Sequence, residues 1–458
     1  MQKIVIIGAG LSGTLLTIHL LRLHFHRPLD ITVIDRNPPE SLGVAYSTDK
    51  HFHLLNVPAH KMSAFPDSSE DFSNWLSSSG YSYPVKSFVP RKIYKEYIQD
   101  LLAKELSRKG ERVRYASIKD KAIDVLPSEQ LLVLESGLKL PYDSLVLALG
   151  NYKATALNLA DNAYKHHPAY FGSAWDKHLF DNLPENEPVL IVGTGLTMVD
   201  TVLTLVQREH RGHITALSNH GYTPMSHNLE SVPYHIPNLQ PQNIDTALEA
   251  FKIVNSHLKK ARQQGVSWHS VIDAVRPFTQ QIWLNLSIDE KKKFMEHLRH
   301  IWGVARHRIP QECSATLNGL LANGQLSIVA GRIKSIRENP GNGLCAEYQE
   351  RSSKKQLSLE VGAIVNCMGP ESNYEKLEDA FVRNLLKRAL IRPDELQLGI
   401  DCTPEGAVIG KDGLPSASVF TIGPPAKGIL WEITSVPEIR AAALNLAKFV
   451  TINKTIQT

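Results

Sequence analysis

Ile4-Val5-Ile6-Ile7-Gly8-Ala9-Gly10-Leu11-Ser12-Gly13 decides how this chain folds, and Val189-Leu190-Ile191-Val192-Gly193-Thr194-Gly195 repeats the pattern. In each, an aliphatic run stops abruptly at a glycine-rich turn. A strand that ends this way and feeds a helix aims unpaired backbone N–H groups at whatever lies above it, and a pyrophosphate is the natural occupant. The first unit is complete: a strand over Lys3 to Ile7, a helix from Ser12 to about Leu23, then the strand Asp30-Ile31-Thr32-Val33-Ile34-Asp35. It closes on an acid at roughly the 20-residue spacing of a ribose-binding carboxylate. Asp35 is placed to accept hydrogen bonds from a ribose diol; a solvent-facing strand-end aspartate is the plainer alternative. Two such turns imply two dinucleotides. Holding two side by side serves electron transfer between them, which points to a flavoprotein oxidoreductase.

At 458 residues the chain exceeds what one hydrophobic core supports, so more than one domain is expected. A hydrophobic fraction of 43% and a charged fraction of 21% are those of an ordinary globular protein. The net charge of +4 is spread along the chain without a basic block, which gives nucleic-acid binding no support. Four cysteines (Cys313, Cys345, Cys367, Cys402) form no close pair, arguing against a disulfide framework, a zinc site and a dithiol redox centre. A reducing cytoplasm fits. The apolar stretch over residues 4–23 could suggest a signal peptide, but its glycines sit at dinucleotide spacing and no basic region precedes it beyond Lys3. No other segment is long enough to span a membrane. Nineteen histidines make chance pairs such as His51-Phe52-His53 and His166-His167 expected, and no metal site is assigned.

Three further apolar runs end in glycine: Leu145-Val146-Leu147-Ala148-Leu149-Gly150, Ala363-Ile364-Val365-Asn366-Cys367-Met368-Gly369 and Val419-Phe420-Thr421-Ile422-Gly423. Each reads as a buried strand whose terminal glycine lets backbone run close to a neighbour or ligand. Between them, residues from about 243 to 304 carry long amphipathic stretches, including 244–264 and 288–302. They read as a helical part of the second domain, with apolar stripes serving as core. An amphipathic helix is expected from Arg91 through about Lys109.

The order of motifs resembles the two-dinucleotide-binding-domain flavoproteins. Closer still, Gly43-Val44-Ala45-Tyr46, Leu54-Leu55-Asn56-Val57-Pro58, Met62-Ser63-Ala64-Phe65-Pro66-Asp67 and Trp431-Glu432-Ile433-Thr434-Ser435-Val436-Pro437-Glu438-Ile439-Arg440 resemble the FAD/NAD(P)-binding protein family, and more distantly the lysine and ornithine N-hydroxylases and class B flavin monooxygenases. The resemblance implies an α/β fold with two Rossmann-like dinucleotide-binding domains. The FAD domain would be discontinuous, over 1–165 and 331–458, and the NAD(P)H domain would span 166–330 with the helical segment. It also implies that Gly8, Gly10, Gly13 and Asp35 hold the ADP part of FAD, with Arg91 beside the cofactor and the Asn56 loop near the flavin ring. Gly150 belongs to the same expected site. Gly423 and the turn Gly428-Ile429-Leu430-Trp431 would approach the isoalloxazine or its ribityl chain. For Trp431, packing in the core is the competing role, and for Arg91 a solvated helix-start cation. Trp302-Gly303-Val304-Ala305-Arg306-His307-Arg308-Ile309-Pro310 also resembles a family segment that could face substrate.

The second turn, with Gly193 and Gly195 expected to hold NAD(P)H, departs from pattern: its third position is Met198, where glycine or alanine would allow tight helix–strand packing. Thr197-Met198-Val199-Asp200 has the look of a capping box, giving Asp200 a structural role. After Ile214-Thr215-Ala216-Leu217-Ser218 no acid awaits a ribose diol. Asn219 and His220 stand there, with Arg208 and Arg211 upstream, tilting the expected nucleotide to NADPH over NADH. The leading expectation is an NAD(P)H-dependent flavoprotein of the monooxygenase type acting on a small molecule with O2, in which the cofactor carries the chemistry and no catalytic side chain is assigned. A flavin dehydrogenase or reductase without oxygenation, or a non-catalytic redox-sensing module, are the alternatives.

Overall fold

The computed structural model describes residues 1–23, 28–37, 42–176, 178–237, 239–339 and 343–452. The chain opens with β1 (Gln2–Ile7), α1 (Leu11–Arg22) and β2 (Leu29–Asp35). Ile4 and Ile6 are fully buried, as are Leu15, Leu16 and Leu20, so strand and helix close a dry interface as soon as the glycine turn reverses the chain. Next come α2 (Asp71–Ser78), α3 (Arg91–Arg108) and β3 (Val113–Lys119). β4 (Ala122–Leu126), β5 (Leu131–Leu134) and β6 (Lys139–Pro141) make a small antiparallel sheet before β7 (Ser144–Leu147) returns beside β1. Phe72, Tyr94 and Tyr97 are fully buried in the core beneath this half, each contributing about 1.5–3 kcal/mol. The Tyr97 hydroxyl also accepts from Ala64 N at 3.0 Å and donates to Asp71 at 2.7 Å, fixing the loop over residues 62–67.

The second unit contains β8 (Tyr170–Phe171), β9 (Val189–Val192), α4 (Leu196–Gln207) and β10 (Ile214–Ser218). The helical middle follows: α5 (Ala247–Gln263), α6 (Trp268–Val275), α7 (Thr279–Asn285), α8 (Ile288–Lys293) and α9 (Arg299–Arg306). A π-helical turn over Phe294–Leu298 interrupts the stretch expected to run from 288 to 302. α10 (Gln311–Ala322) leads to β11 (Leu326–Asn339), β12 (Gly343–Glu350), β13 (Gln356–Val361) and β14 (Ala363–Asn366). The chain ends with α11 (Ala380–Lys387), β15 (Ala407–Ile409), β16 (Pro415–Thr421) and α12 (Val436–Ile452).

Two main sheets result, in the orders β15-β16-β7-β1-β2-β3 and β13-β12-β11-β10-β9-β14-β8. Their parallel parts match: β7-β1-β2-β3 in one, β14-β9-β10-β11 in the other, with every neighbouring pair parallel. The strand over 363–366, read from sequence as a companion of the one over 145–149, is thus its counterpart in the other sheet. β12 and β13 also lie there and not with the first sheet. The reason is the length of β11, which pairs with β10 over its first five residues and then with β12, so the strand cannot change sheets midway. Return to the first sheet comes with β16, which pairs with β7. Among the described residues, no helix is long and apolar enough to cross a membrane.

Candidate dinucleotide and substrate sites

The two glycine turns are built alike. Gly8 N donates to Ile34 O at 2.8 Å and Gly193 N to Leu217 O at 2.8 Å, tying each turn to the neighbouring strand. Both glycines are left-handed, with φ of 107° and 112°. A Cβ on Gly8 would overlap Ala148 O, and one on Gly193 would lie 2.6 Å from Cys367 O. Ala148 and Cys367 follow β7 and β14, so the counterpart strands press on the counterpart turns. A side chain at Gly13 would overlap Gly8 O, which is the close helix–strand approach the motif exists to allow. Gly10 and Gly195 differ in kind. Among the described residues, no atom would come nearer than 4.0 Å to a Cβ on Gly10, and none lies within 4 Å on Gly195. Both are helix N-caps without a side-chain cap, so the first-turn N–H groups of α1 and α4 face open space. That space fits a pyrophosphate on each turn.

Asp35 sits beside the first turn, where its Oδ2 accepts from Ala9 N at 2.7 Å and its Oδ1 from Asn37 N at 2.8 Å. The carboxylate therefore shapes the turn, and its remaining lone pairs are what a ribose diol could use. Met198, at the position that Gly13 holds in the first turn, is fully buried with Ile191 and Val202.

Asp200 is no capping residue: the N-cap is Gly195, and the carboxylate instead pairs with Arg91 at 2.9 Å. Arg91 also donates from Nε to Leu54 O at 3.0 Å, so it clamps the start of α3 and the Asn56 loop onto α4. Asn56 O accepts from His227 Nε2 at 2.9 Å. His53 joins the same seam through Thr204 at 3.2 Å. The Asn56 loop and Arg91 thus lie where the two units meet.

Neither Arg208 nor Arg211 reaches the carboxyl end of β10. Arg208 donates to Phe180 O at 2.7 Å from the far end of α4, and Arg211 precedes the strand. The cation at that edge is Arg351, which donates to Asn219 O at 3.0 Å and contacts His220 Nδ1 at 2.7 Å. Sequence reasoning missed it because it follows β12, more than a hundred residues downstream.

Gly423, at φ 80°, packs so closely on Ser12 that a Cβ there would overlap the Ser12 hydroxyl. The C-terminal segment therefore meets the first helix at its N-terminus. Gly150, at φ 67°, has nothing within 4 Å of an added Cβ. Trp431 stacks on Trp283, ring centres 4.8 Å apart and planes at 27°. Trp283 in turn donates to Gly428 O at 2.9 Å, so the turn over 428–431 is held against the helical middle. Glu432 is 3% exposed and adopts φ 70°, a conformation strained for a side chain of its size. Arg306 Nε at 2.7 Å and Trp302 Nε1 at 2.5 Å hold its carboxylate.

Between the Asn56 loop and the helical middle lies a cavity of about 120 Å³. Lys61, Lys86, Arg276, Arg306 and Arg308 line it with Asp273, which pairs with Arg308, while Glu438 pairs with Arg276 and Glu432 with Arg306 from behind the lining. Burial pushes the Asp273 carboxyl up, but Arg308 and Lys61 outweigh it and hold the group below the usual carboxylate range. Arg306 Nη2 makes no hydrogen bond but lies 3.7 Å from the Glu438 carboxylate. Burial, with Arg308 adding to it, pushes His227 down to about 4, so it lines the cavity as a neutral donor. Five cations against these three carboxylates leave the cavity wall with an excess of positive charge. From 302–310, then, Arg306 and Arg308 reach a cavity, while burial pushes His307 down to about 4.

Burial raises the thiols of Cys313 and Cys367 to about 12 and that of Cys402 higher still. All four cysteines are free. No dithiol is formed among them, and the raised thiols of Cys313, Cys367 and Cys402 stay protonated.

Residues 5–152, which run from within β1 to just past β7, match the protein-family model described as FAD-NAD(P)-binding. No curated protein is similar in sequence. Across the whole chain the fold is that of solved flavoproteins. The ornithine N-hydroxylase of Kutzneria sp. 744, solved with reduced FAD, NADP+ and L-ornithine, has a TM-score of 0.66 at 12% identity, covering 99% of this chain and 100% of its own. The desferrioxamine-pathway cadaverine monooxygenase of Erwinia amylovora, bound to FAD, scores 0.62 at 13% identity over 98% and 94%. L-Lysine 6-monooxygenase of Pseudomonas syringae scores 0.61 at 14% identity over 98% and 99%.

Proposed function

We propose that this protein is an FAD-dependent, NAD(P)H-using oxidoreductase of the flavin monooxygenase type acting on a small molecule. One observation carries the reading. Two equivalent glycine turns, each with open space over a bare helix N-terminus, are bolted together by the Arg91–Asp200 pair. FAD would lie on the Gly8–Gly13 turn beside Asp35, with the Asn56 loop, Gly150, Gly423 and the 428–431 turn around its far end. NADPH or NADH would lie on the Gly193–Gly195 turn. FAD supplies hydride acceptance and oxygen chemistry when bound. The chain's own part is to position and to exclude water. Arg91 and His227 fix the Asn56 loop, Gly423 brings the C-terminal segment onto Ser12, and Glu432 locks that segment to α9. In this reading residues 1–165 and the C-terminal part hold FAD, the nucleotide domain extends through β14, and Arg351 favours NADPH. The shared fold with N-hydroxylating monooxygenases and the lack of a dithiol both favour oxygen as electron acceptor over a thiol pathway.

The test is an anaerobic titration of purified protein with NADPH and NADH, followed by air. Yellow protein bleached by NADPH and recoloured by O2 in the presence of substrate is expected. Colourless protein that takes up no added FAD overturns the reading. Yellow protein never bleached by either nucleotide makes it a non-catalytic binding module.

A further inference from the structure

The cationic cavity draws its wall from separate segments. Lys61 comes from the loop after Asn56, Lys86 from the stretch before α3, Asn228 and Ser231 from the chain after β10, Arg276 from the end of α6 and Arg308 from beyond α9. Charge is sorted across the two helices. Asp273 and Arg306 line this chamber, whereas Ile272 and Val275, with Trp302 and Ala305, line an apolar space of about 250 Å³, walled also by Phe251 and Val254 of α5. None of the described residues lining that second space is charged. The positive excess is confined to the smaller chamber.

Most of its cations are already answered. Glu438 lies 2.9 Å from Arg276, Glu432 2.7 Å from Arg306, and Asp273 accepts from Arg308. Asp273 also lies 3.7 Å from Lys61, so one carboxylate serves two cations. Lys86 Nζ reaches Leu229 O at 3.4 Å and has no carboxylate partner among the described residues. His60 and His227 are pushed down mainly by burial and add no charge. The surplus therefore rests on Lys61 and Lys86, and solvent reaches both side chains. Asn228 Oδ1 is taken by Glu230 N at 3.1 Å, so its amide has N–H groups left to offer.

We infer that this chamber binds the phosphoryl group of a small phosphomonoester, with Lys61 and Lys86 supplying the charge and Asn228 and Ser231 neutral donors. A phosphomonoester carries about −1.5 to −2 charges at neutral pH, which matches the excess on the wall. A volume of about 120 Å³ is the room of roughly four waters, enough for that group and too little for a dinucleotide. An amine would meet surplus positive charge and, in the described lining, no carboxylate free of a cation. Under the flavoprotein reading, on which this last step rests, the phosphorylated molecule is the substrate, because the Asn56 loop that walls the chamber is expected beside the flavin ring.

The test is a calorimetric titration of the full chain with phenyl phosphate, in the presence of saturating FAD and NADP+ so that both glycine turns are filled. Benzoate and benzylamine are the comparisons. One phenyl phosphate per chain, at least about tenfold tighter than benzoate and with no benzylamine bound, is expected. Lys61→Gln combined with Lys86→Gln should weaken it at least about tenfold, and Ser231→Glu should abolish it. Lys104→Gln, near the far end of α3, should change nothing. Circular dichroism checks that the variants fold. Absence of saturable binding, benzoate bound as tightly, or binding indifferent to the lysine and Ser231 variants in folded protein overturns the inference. So does phenyl phosphate binding that saturating nucleotides remove, since the glycine turns would then be holding it. Yellow protein that binds no phenyl phosphate fails the chamber alone. Colourless protein that takes up no FAD, yet binds phenyl phosphate through Lys61 and Lys86, fails the flavin alone.

Discussion

Arg91 and Asp200 join the two glycine units: one guanidinium nitrogen lies 2.9 Å from one carboxylate oxygen and 3.1 Å from the other. Both side chains are almost shielded from solvent, at 14% and 11% exposure. Burial pushes the Asp200 carboxyl up, with Arg91 opposing. The pair fixes the relative placement of the two expected phosphate cradles more than it adds stability over an apolar pair.

Breaking it from one side should therefore be costly. Arg91→Ala leaves a buried carboxylate without its cation and should lose about 3–5 kcal/mol in urea unfolding, most of it recovered when Asp200→Asn is added. FAD affinity measured in the recovered double variant then reports whether Arg91 also serves the cofactor. A loss in the single variant below about 1 kcal/mol, the range of exposed pairs, would remove the bolt from the argument.

The first turn separates fold from ligand. Gly13→Val forces a side chain into Gly8 O and should give insoluble or grossly destabilised protein. At Gly10 an added Cβ meets no described atom nearer than 4.0 Å, so the unfolding curve of Gly10→Val should stay close to that of the parent protein. Its FAD dissociation constant should nevertheless rise about a hundredfold or more, measured by flavin fluorescence. Unchanged flavin binding in Gly10→Val would move the cofactor elsewhere.

Acid should unfold this protein earlier than its carboxylates alone require. His19, His53, His227 and His307 are held down to about 4, mainly by burial, against 6.5 when free. Each is neutral when folded and takes up a proton on unfolding between those values. Their contribution to stability is therefore full above about 6.5 and falls as pH drops towards 4, with up to four protons bound by these imidazoles on unfolding. Urea midpoints across that interval should show the slope, and His53→Gln should reduce it. A flat profile from pH 6.5 to 4.5 would count against four buried neutral imidazoles.

Nucleotide choice should depend on the arginine that follows β12. Arg351→Gln should lower the preference for NADPH over NADH by about tenfold in flavin-reduction rates, on the scale of one lost charge-assisted contact. Arg211→Gln, at the wrong end of β10, should leave it unchanged. The reverse ranking would restore the reading made from sequence.

The frame of this protein was legible because glycine turns are local. β1, α1 and β2 follow one another, and the steric demands on Gly8 and Gly13 come from atoms the motif itself supplies or from the next strand in the sheet. The place of β14 was harder, since its spacing resembles that of β7 and only the uninterrupted length of β11 shows which sheet receives it. Asp200 looked like a cap because cap and ion-pair residues share chemistry, and its partner lies 109 positions away. Arg351 and the two cavities were invisible for the same reason. They are assembled from segments that only the folded chain brings together, and an amphipathic stripe on α5 reads the same whether it faces core or empty space.

α6 and α9 each wall both cavities. Asp273 and Arg306 face the cationic one, while Ile272 and Val275, with Trp302 and Ala305, face the apolar one. A movement of either helix that widens one chamber is communicated to the other. Thermodynamic reciprocity then applies: whatever factor an anion contributes to the affinity of an apolar guest, that guest returns to the anion. Two unlike ligands would thereby sense each other without touching, through the pair of helices that forms a wall of each.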